Sequence, residues 1–318
     1  MNRPPCPRLP RLPRRLAAAF VAGALALLLV GATVADEAAR GAAGRPPVAR
    51  LREARAALPV ADHRVDGSGR RGRPDLLRGT LARSRQRLPE FRADGDVQRR
   101  KREFFAWMLP LVEAENARLR SVRRRLTADF DLLRWGRPLP AAEERWLAEL
   151  ALEFRLPDPD PRSGAFWRAA LERVDALPVD LVVVQAANES AWGTSRFARE
   201  GNNLFGQWCF RPGCGIVPLD RPDGASYEVA RFATPAESVG SYMRNLNTGR
   251  SYQLLRQLRA RRRAEGRLPR ADELAAGLVD YSERGPAYVD ELRAMLRVNG
   301  PVIAAARDRL GGAPGREG

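Results

Sequence analysis

From Lys101 onward the apolar positions fall with helical spacing: Phe104, Phe105, Met108, Leu109, Leu111 and Val112 share one face, which Asn116 and Leu119 continue. A second helix is predicted from Pro140 through Trp146, Leu147, Leu150, Leu152 and Phe154, and Pro157-Asp-Pro-Asp-Pro161 then breaks the chain. These two make a helical subdomain over residues 99–162, with no convergent set of polar side chains. The pattern becomes denser from Phe166. Phe166 to Val174 reads as one helix; Pro178 opens the next at its first turn, and Leu181, Val182, Val183 and Val184 make it apolar nearly all round until Gly193. Thr194 or Ser195 caps a short helix that Gly201 closes, and Asn202-Asn203 begins a loop. Ile216–Leu219 and Ser226–Phe232 flank Asp220-Arg-Pro-Asp-Gly224, a hairpin with a turn sequence between two strands. Thr234-Pro-Ala-Glu237 is a capping box whose helix turns Val239, Tyr242, Met243 and Leu246 inward. Two more helices, Tyr281-Ser-Glu-Arg-Gly285 and a last amphipathic helix from Pro286 to Val298 complete the pattern. The prediction is an α+β, mostly helical domain over 163–304 with one small β-hairpin, preceded by a helical segment and followed by a flexible tail at 305–318.

The start of the chain reads differently. Arg11, Arg14 and Arg15 precede an uncharged run from Leu16 to Ala35, and Asp36 follows. Residues 1–35 thus form a signal peptide, with Thr33-Val34-Ala35 as a small-residue cleavage end, or an uncleaved membrane anchor. Either form sends the rest of the chain out of the cytoplasm, because the arginines stay inside. The expected location is the periplasm, free or anchored to the inner membrane through residues 16–35. Residues 36–98 are rich in Arg, Pro and Gly, lack a sustained period, and read as a disordered linker.

Composition sharpens this. The formal charge of +17 is almost wholly arginine, Lys101 being the only lysine, which favours an anionic partner. Nucleic acid is set aside because no finger, basic-helix or RNP-type motif appears. His63 is the only histidine and lies in the linker, so a Ser-His-Asp triad and a histidine-based metal site are both excluded from the folded part. Cys6 belongs to the leader. Cys209 and Cys214 flank Phe-Arg-Pro-Gly and, in an exported protein, read as a local disulfide. No metal and no cofactor are expected, and nothing in the sequence points beyond a monomer.

The stretch that carries chemistry is Gln185-Ala-Ala-Asn-Glu-Ser-Ala-Trp-Gly-Thr-Ser195. Glu189 lies in the last turn of a strongly apolar helix, where the negative end of the helix dipole and apolar surroundings both disfavour ionisation. A carboxyl that keeps its proton near neutral pH is a general acid, and glycosidic oxygens leave poorly unless protonated. Trp192, Asn203, Phe205 and Trp208 follow closely, and aromatic faces and amides are what a groove for N-acetylated sugars uses. Trp192 and Phe205 are equally of the type that packs in a core.

Glu189-Ser-Ala-Trp-Gly-Thr-Ser195, Asn203-Leu-Phe-Gly206 and Tyr281 ahead of a final helix resemble the glucosaminidase domains of glycoside hydrolase family 73. Asn188 to Ala198, Gly201 to Cys209, Tyr242 to Thr248 and Tyr281 to Gly285 resemble more closely the Bax-like proteins, exported bacterial proteins that carry this domain. The resemblance covers about 135 residues well and the helical segment from 101 more loosely. It implies a lysozyme-like fold and endo-β-N-acetylglucosaminidase activity on peptidoglycan glycan strands. The family's helix-end acid falls on Glu189 and its active-site tyrosine on Tyr281; Tyr288 completes the expected sugar-contacting set. The second carboxylate tends to come from the hairpin, where Asp220, Asp223 and Glu228 are the choices. Period-two alternation puts Glu228 on one face with Ala230 and Phe232, and we take Glu228. A muramidase or lytic transglycosylase on the same fold, and a non-catalytic wall-binding module, are the competing readings.

Overall fold

The computed structural model describes residues 87–91 and 95–311, apart from 220 and 223. The leader, Cys6, His63, Asp220, Asp223 and nearly all of the predicted linker lie outside the described residues.

Helix α1 (Val97–Arg134) is the long strut of the molecule, started by Asp96, whose side chain accepts from the Gln98 N–H at 2.8 Å. Its face of Phe104, Phe105, Met108, Leu109, Leu111, Val112 and Leu119 is fully buried, as the spacing predicts. Pro110 sits inside it without ending it. Asn116, placed by the sequence on the apolar face, is buried for a polar reason. Its Nδ2 donates to the Leu177 carbonyl at 2.8 Å and its Oδ1 accepts from the Leu177 N–H at 2.9 Å, bracketing the turn before the next buried helix.

Helix α2 (Ala141–Glu153) buries Leu147, Leu150 and Ala151, and Phe154 follows. Leu152, counted among its apolar positions, falls off that three-and-four stripe and is 81% exposed. A carboxylate pair joins α2 to α1. Arg125 donates to Glu143 at 2.8 and 3.0 Å, while burial and then the nearby Glu143 charge push Asp129 up to about 6. A carboxyl with a raised folded-state value binds its proton more tightly in the folded chain. Stability therefore falls as pH rises from about 4 to about 6, and the cost stays constant above that. Asp129→Asn should stabilise the protein at pH 7 by roughly 1–2 kcal/mol, with the gain vanishing near pH 4; denaturant unfolding at the two pH values measures it.

Helix α3 (Gly164–Arg173) is capped by Ser163 and leads through a short turn to α4 (Val179–Ser190), followed by α5 (Arg196–Gly201). The α3–α4 turn is held by a dense polar network. Arg259 is 1% exposed, and its guanidinium donates to the carbonyls of Glu172 at 2.8 Å and Asp175 at 3.2 Å and to Asn247 Oδ1 at 2.7 Å. Arg123 adds bonds to the carbonyls of Leu171 and Val174. The buried Asp175 carboxylate answers these cations: Arg263 grips it at 3.0 Å on both oxygens, with Arg259 and Arg123 within 4 Å.

The single hairpin expected is a three-stranded antiparallel sheet of order β1-β3-β2: β1 (Trp208–Cys209), β2 (Gly215–Ile216) and β3 (Glu228–Ala230). The pairing of β2 with β3 is the predicted hairpin; β1 was invisible because two residues carry no period. Helix α6 (Pro235–Thr248) begins at the predicted capping box, Thr234 accepting from the Glu237 N–H at 3.2 Å. A 3-10 turn (Arg250–Tyr252), α7 (Gln253–Ala264), α8 (Ala271–Leu274) and a second 3-10 stretch (Ala275–Tyr281) lead to α9 (Pro286–Gly311). The last helix runs well past the predicted end at Val298, continuing through Pro301 because Ile303 and Ala306 are buried in the core.

Helix α4 is the hub. It packs against α1, α8 and α9, and one hydrophobic core runs from Phe91 to Ala306. The class is the mostly helical, lysozyme-like α+β arrangement the sequence pattern led us to expect. Phe91, inside the stretch read as linker, is buried against Phe104 and Trp107. Among the described residues no helix is long and apolar enough to cross a membrane.

Candidate active site

Helix α4 ends earlier than the glycine at 193 implied. Its last residue is Ser190, and the next three residues, Ala191, Trp192 and Gly193, all have positive φ of 50°, 59° and 77°. Two non-glycine residues in the left-handed region cost about 1–2 kcal/mol each, and surrounding contacts must hold them there. Ser190 Oγ donates to the Ala186 carbonyl and accepts from the Gly193 N–H at 2.8 Å, closing the turn from inside. The Trp192 ring is wedged edge-on between Phe104 and Phe105, with Lys101 Nζ 5.1 Å from its centroid. At Gly193 any Cβ would lie 2.5 Å from the Phe91 ring, so both the sign of φ and the space demand glycine. This sharp turn leaves Glu189 in the final turn of α4, half-buried at the end of a helix buried from Leu181 to Asn188.

Behind Glu189 stands a tyrosine cluster. Tyr288 of α9, completely buried, donates from its hydroxyl to Glu189 Oε1 at 2.9 Å. Tyr288 in turn accepts from Gln185 Nε2 at 3.0 Å, and Gln185 Oε1 accepts from the Tyr242 hydroxyl. Gln185 is one helical turn before Glu189 on α4 and fully buried. Tyr281 stacks on Tyr288 with ring centroids 5.5 Å apart and planes within 8°, and its hydroxyl donates to the Phe205 carbonyl at 2.8 Å. Burial first, and then the nearby Glu189 charge, hold the Tyr281 hydroxyl well above the usual tyrosine range, so it stays a neutral donor.

The geometry sorts the predicted residues into two groups. Glu189, Tyr281 and Tyr288 converge. Tyr288, expected among the sugar-contacting residues, is fully buried beneath Glu189 and donates to it. Asn203 is a loop organiser, 1% exposed. Its Nδ2 donates to the carbonyls of Gln207 and Ala230 at 2.8 Å each, and its Oδ1 accepts from the N–H of Phe205 and Gln207. No polar atom of that amide is left to meet an acetamido group. Phe205 is a core residue stacked on Tyr242 at 3.8 Å, and Trp192 is committed to the wedge on α1. Trp208, partly exposed on β1, packs edge-on against Tyr227, the residue before β3.

Glu228, taken from the sequence as the second carboxylate, is tied into the disulfide loop. It is buried on β3, and its two carboxylate oxygens accept from the N–H of Gly213 at 2.9 Å and of Gly215 at 2.7 Å. Those two bonds hold its carboxyl below the usual carboxylate range. The clamped loop is the one closed by the Cys209–Cys214 disulfide. With both sulfurs bonded to each other, the grouping of Cys209, Cys214 and Glu228 is a covalent and hydrogen-bonded staple and not a ligand set.

Two residues that sequence reasoning did not single out belong to the site, Gln185 and Tyr242. A polar Gln185 in the middle of Leu181–Ala187 was the available signal, because a buried amide always needs partners.

Residues 164–300 match the family model for glucosaminidase, described as mannosyl-glycoprotein endo-beta-N-acetylglucosaminidase. The chain is similar to Protein bax of Escherichia coli (strain K12), 32% identical over 206 residues, which span 65% of this chain and 72% of that protein. No solved structure matches at a significant level.

Proposed function

The chain belongs to the Bax-like family of proteins with a glucosaminidase domain, and on that premise we propose that it is an exported peptidoglycan hydrolase, an endo-β-N-acetylglucosaminidase whose proton donor is Glu189. A glucosaminidase domain makes the protein a glycosidase in the general sense; the bond cut and the residue that supplies the proton are the proposal. One observation carries it. Within the matched stretch, Glu189 is a carboxyl presented at the end of a buried helix, hydrogen-bonded from behind by Tyr288 and flanked by Tyr281.

In the reaction, Glu189 gives its proton to the bridging oxygen as the bond from that oxygen to the anomeric carbon breaks. The leaving strand departs as an alcohol and the anomeric carbon is attacked by an oxygen nucleophile. Glu228, tied to the disulfide loop, is assigned to the staple and takes no part in that attack. The nucleophile is then water activated by another group, giving inversion, or the substrate's own acetamido oxygen, giving retention once water opens the intermediate. The Trp208 face is the sugar-stacking surface in this reading, and the strongly basic chain suits an anionic wall polymer.

Mass spectrometry of digested sacculi tests the assignment. Fragments ending in reducing N-acetylglucosamine are expected. Reducing muramic or anhydromuramic ends would replace this reading with a muramidase or a lytic transglycosylase.

A further inference from the structure

We propose that Tyr288, held by Gln185 and Tyr242, is a positioning residue that fixes which oxygen of Glu189 carries the catalytic proton. The inference rests on Glu189 being the acid and adds how its carboxyl is oriented.

The observations are directional. The Tyr242 hydroxyl donates to Gln185 Oε1, Gln185 Nε2 donates to the Tyr288 oxygen, and the Tyr288 hydroxyl donates to Glu189 Oε1. Every donor in this chain points toward Glu189. Three of the four side chains are fully buried, so water cannot easily replace a missing partner. The primary amide of Gln185 sets the polarity: its carbonyl faces Tyr242 and its NH2 faces Tyr288. Because that NH2 occupies a lone pair of the Tyr288 oxygen, the Tyr288 hydrogen is free to aim at Glu189. Oε1 is thereby kept as an acceptor, and the proton of the neutral acid resides on Oε2.

The three elements involved also explain why the arrangement is rigid. Gln185 and Glu189 share one face of α4, Tyr242 comes from α6 and Tyr288 from α9. Phe205 stacked on Tyr242 and Tyr281 stacked on Tyr288 hold the two donor rings in their planes. A carboxyl free to rotate would spend part of its time with the proton turned into the protein. Pinning one oxygen removes that loss before substrate arrives.

The test uses the full chain on soluble, uncrosslinked glycan strands. Tyr288→Phe keeps the ring, its burial and its stack on Tyr281 while deleting the hydroxyl that donates to Glu189 Oε1, an oxygen that Asn188 Nδ2 also approaches at 3.4 Å. The expected result is a fall in kcat of about tenfold, the effect of losing one hydrogen bond that orients the neutral acid. KM should stay within about twofold, and Tm should fall by only a few degrees, the cost of leaving the buried Gln185 Nε2 without its acceptor. Tyr242→Phe, two bonds further back, should lower kcat less. The double variant should be no slower than Tyr288→Phe alone, since both cut one chain.

A folded Tyr288→Phe with wild-type kcat, or with a loss confined to KM, overturns the proposal. If Tyr288→Phe does not fold, Tyr242→Phe decides, and an unchanged kcat there overturns it. Failure of the underlying reading is visible separately. A Glu189→Gln protein that still turns over removes the acid itself, whereas an inactive Glu189→Gln beside a fully active Tyr288→Phe removes only the positioning role.

Discussion

Replacing Glu189 by glutamine is expected to lower turnover at least a thousandfold while leaving the folded protein almost as stable as the parent. Glutamine has the same shape and can still accept from the Tyr288 hydroxyl through its own Oε1, so the cluster behind it keeps its bonds. What it lacks is the ability to release a proton to a leaving oxygen, and general acid catalysis of that kind contributes on the order of 10²–10⁴ in rate. Poor leaving groups sit toward the upper end. Zymography on wall-containing gels beside a soluble-substrate assay measures the loss, and thermal unfolding supplies the control. Equal clearing by both proteins would exclude Glu189 as the acid; a Tm drop of many degrees would mean the carboxyl is a structural member of the cluster.

The parts of this site that were legible in the sequence are those encoded locally. The apolar run Leu181–Val184 fixes α4 as a buried helix, and Glu189 follows four residues after Gln185 on the same face, so its place at a helix end could be read from spacing alone. The capping box at Thr234 and the face of α1 were equally local. What could not be read is set by contacts across the chain. Asn203 looks like a sugar-binding amide because asparagine is polar and near an aromatic run. Only the fold shows that the Ala230 carbonyl, 27 residues away, consumes one of its donors. Glu228 lies on the face that alternation predicted, with Ala230 and Phe232, yet that face looks onto the disulfide loop. Tyr288 was expected at the sugar; its complete burial and its bond to Glu189 depend on packing that the sequence does not display. The exported leader and the anchor alternative fall on residues 1–35, outside the described residues.

Asp175→Ala is expected to be the most destabilising single change away from the site, costing about 3–5 kcal/mol. Among the described residues the carboxylate is the only acidic partner that Arg259 reaches, and it also binds Arg263 on both oxygens. Burial already lowers the Arg259 guanidinium to about 10, with Asp175 opposing that fall. Removing Asp175 leaves a fully buried cation with uncharged partners only, and breaking a buried pair on one side costs about this much. For a protein of this size the corresponding fall in Tm is about 10 °C. Calorimetry of the variant would measure it. A Tm within about 2 °C of the parent would show that the carbonyls of Glu172, Asp175 and Ala176 alone suffice to hold Arg259. The effect should reach activity only through the folded population, because this network lies at the start of α4 and Glu189 at its far end.

The wedge of Trp192 between Phe104 and Phe105, and the seat of Gly193 against Phe91, have a consequence for modularity. Phe91, Phe104 and Phe105 all precede residue 164, where the family-matched stretch begins. The backbone that presents Glu189 is therefore shaped by a part of the chain outside the matched stretch 164–300. Excising the matched stretch would strand the left-handed turn without the aromatic vise that enforces it. The helix end that carries Glu189 and the long helix in front of the matched stretch therefore form one structural unit in this chain.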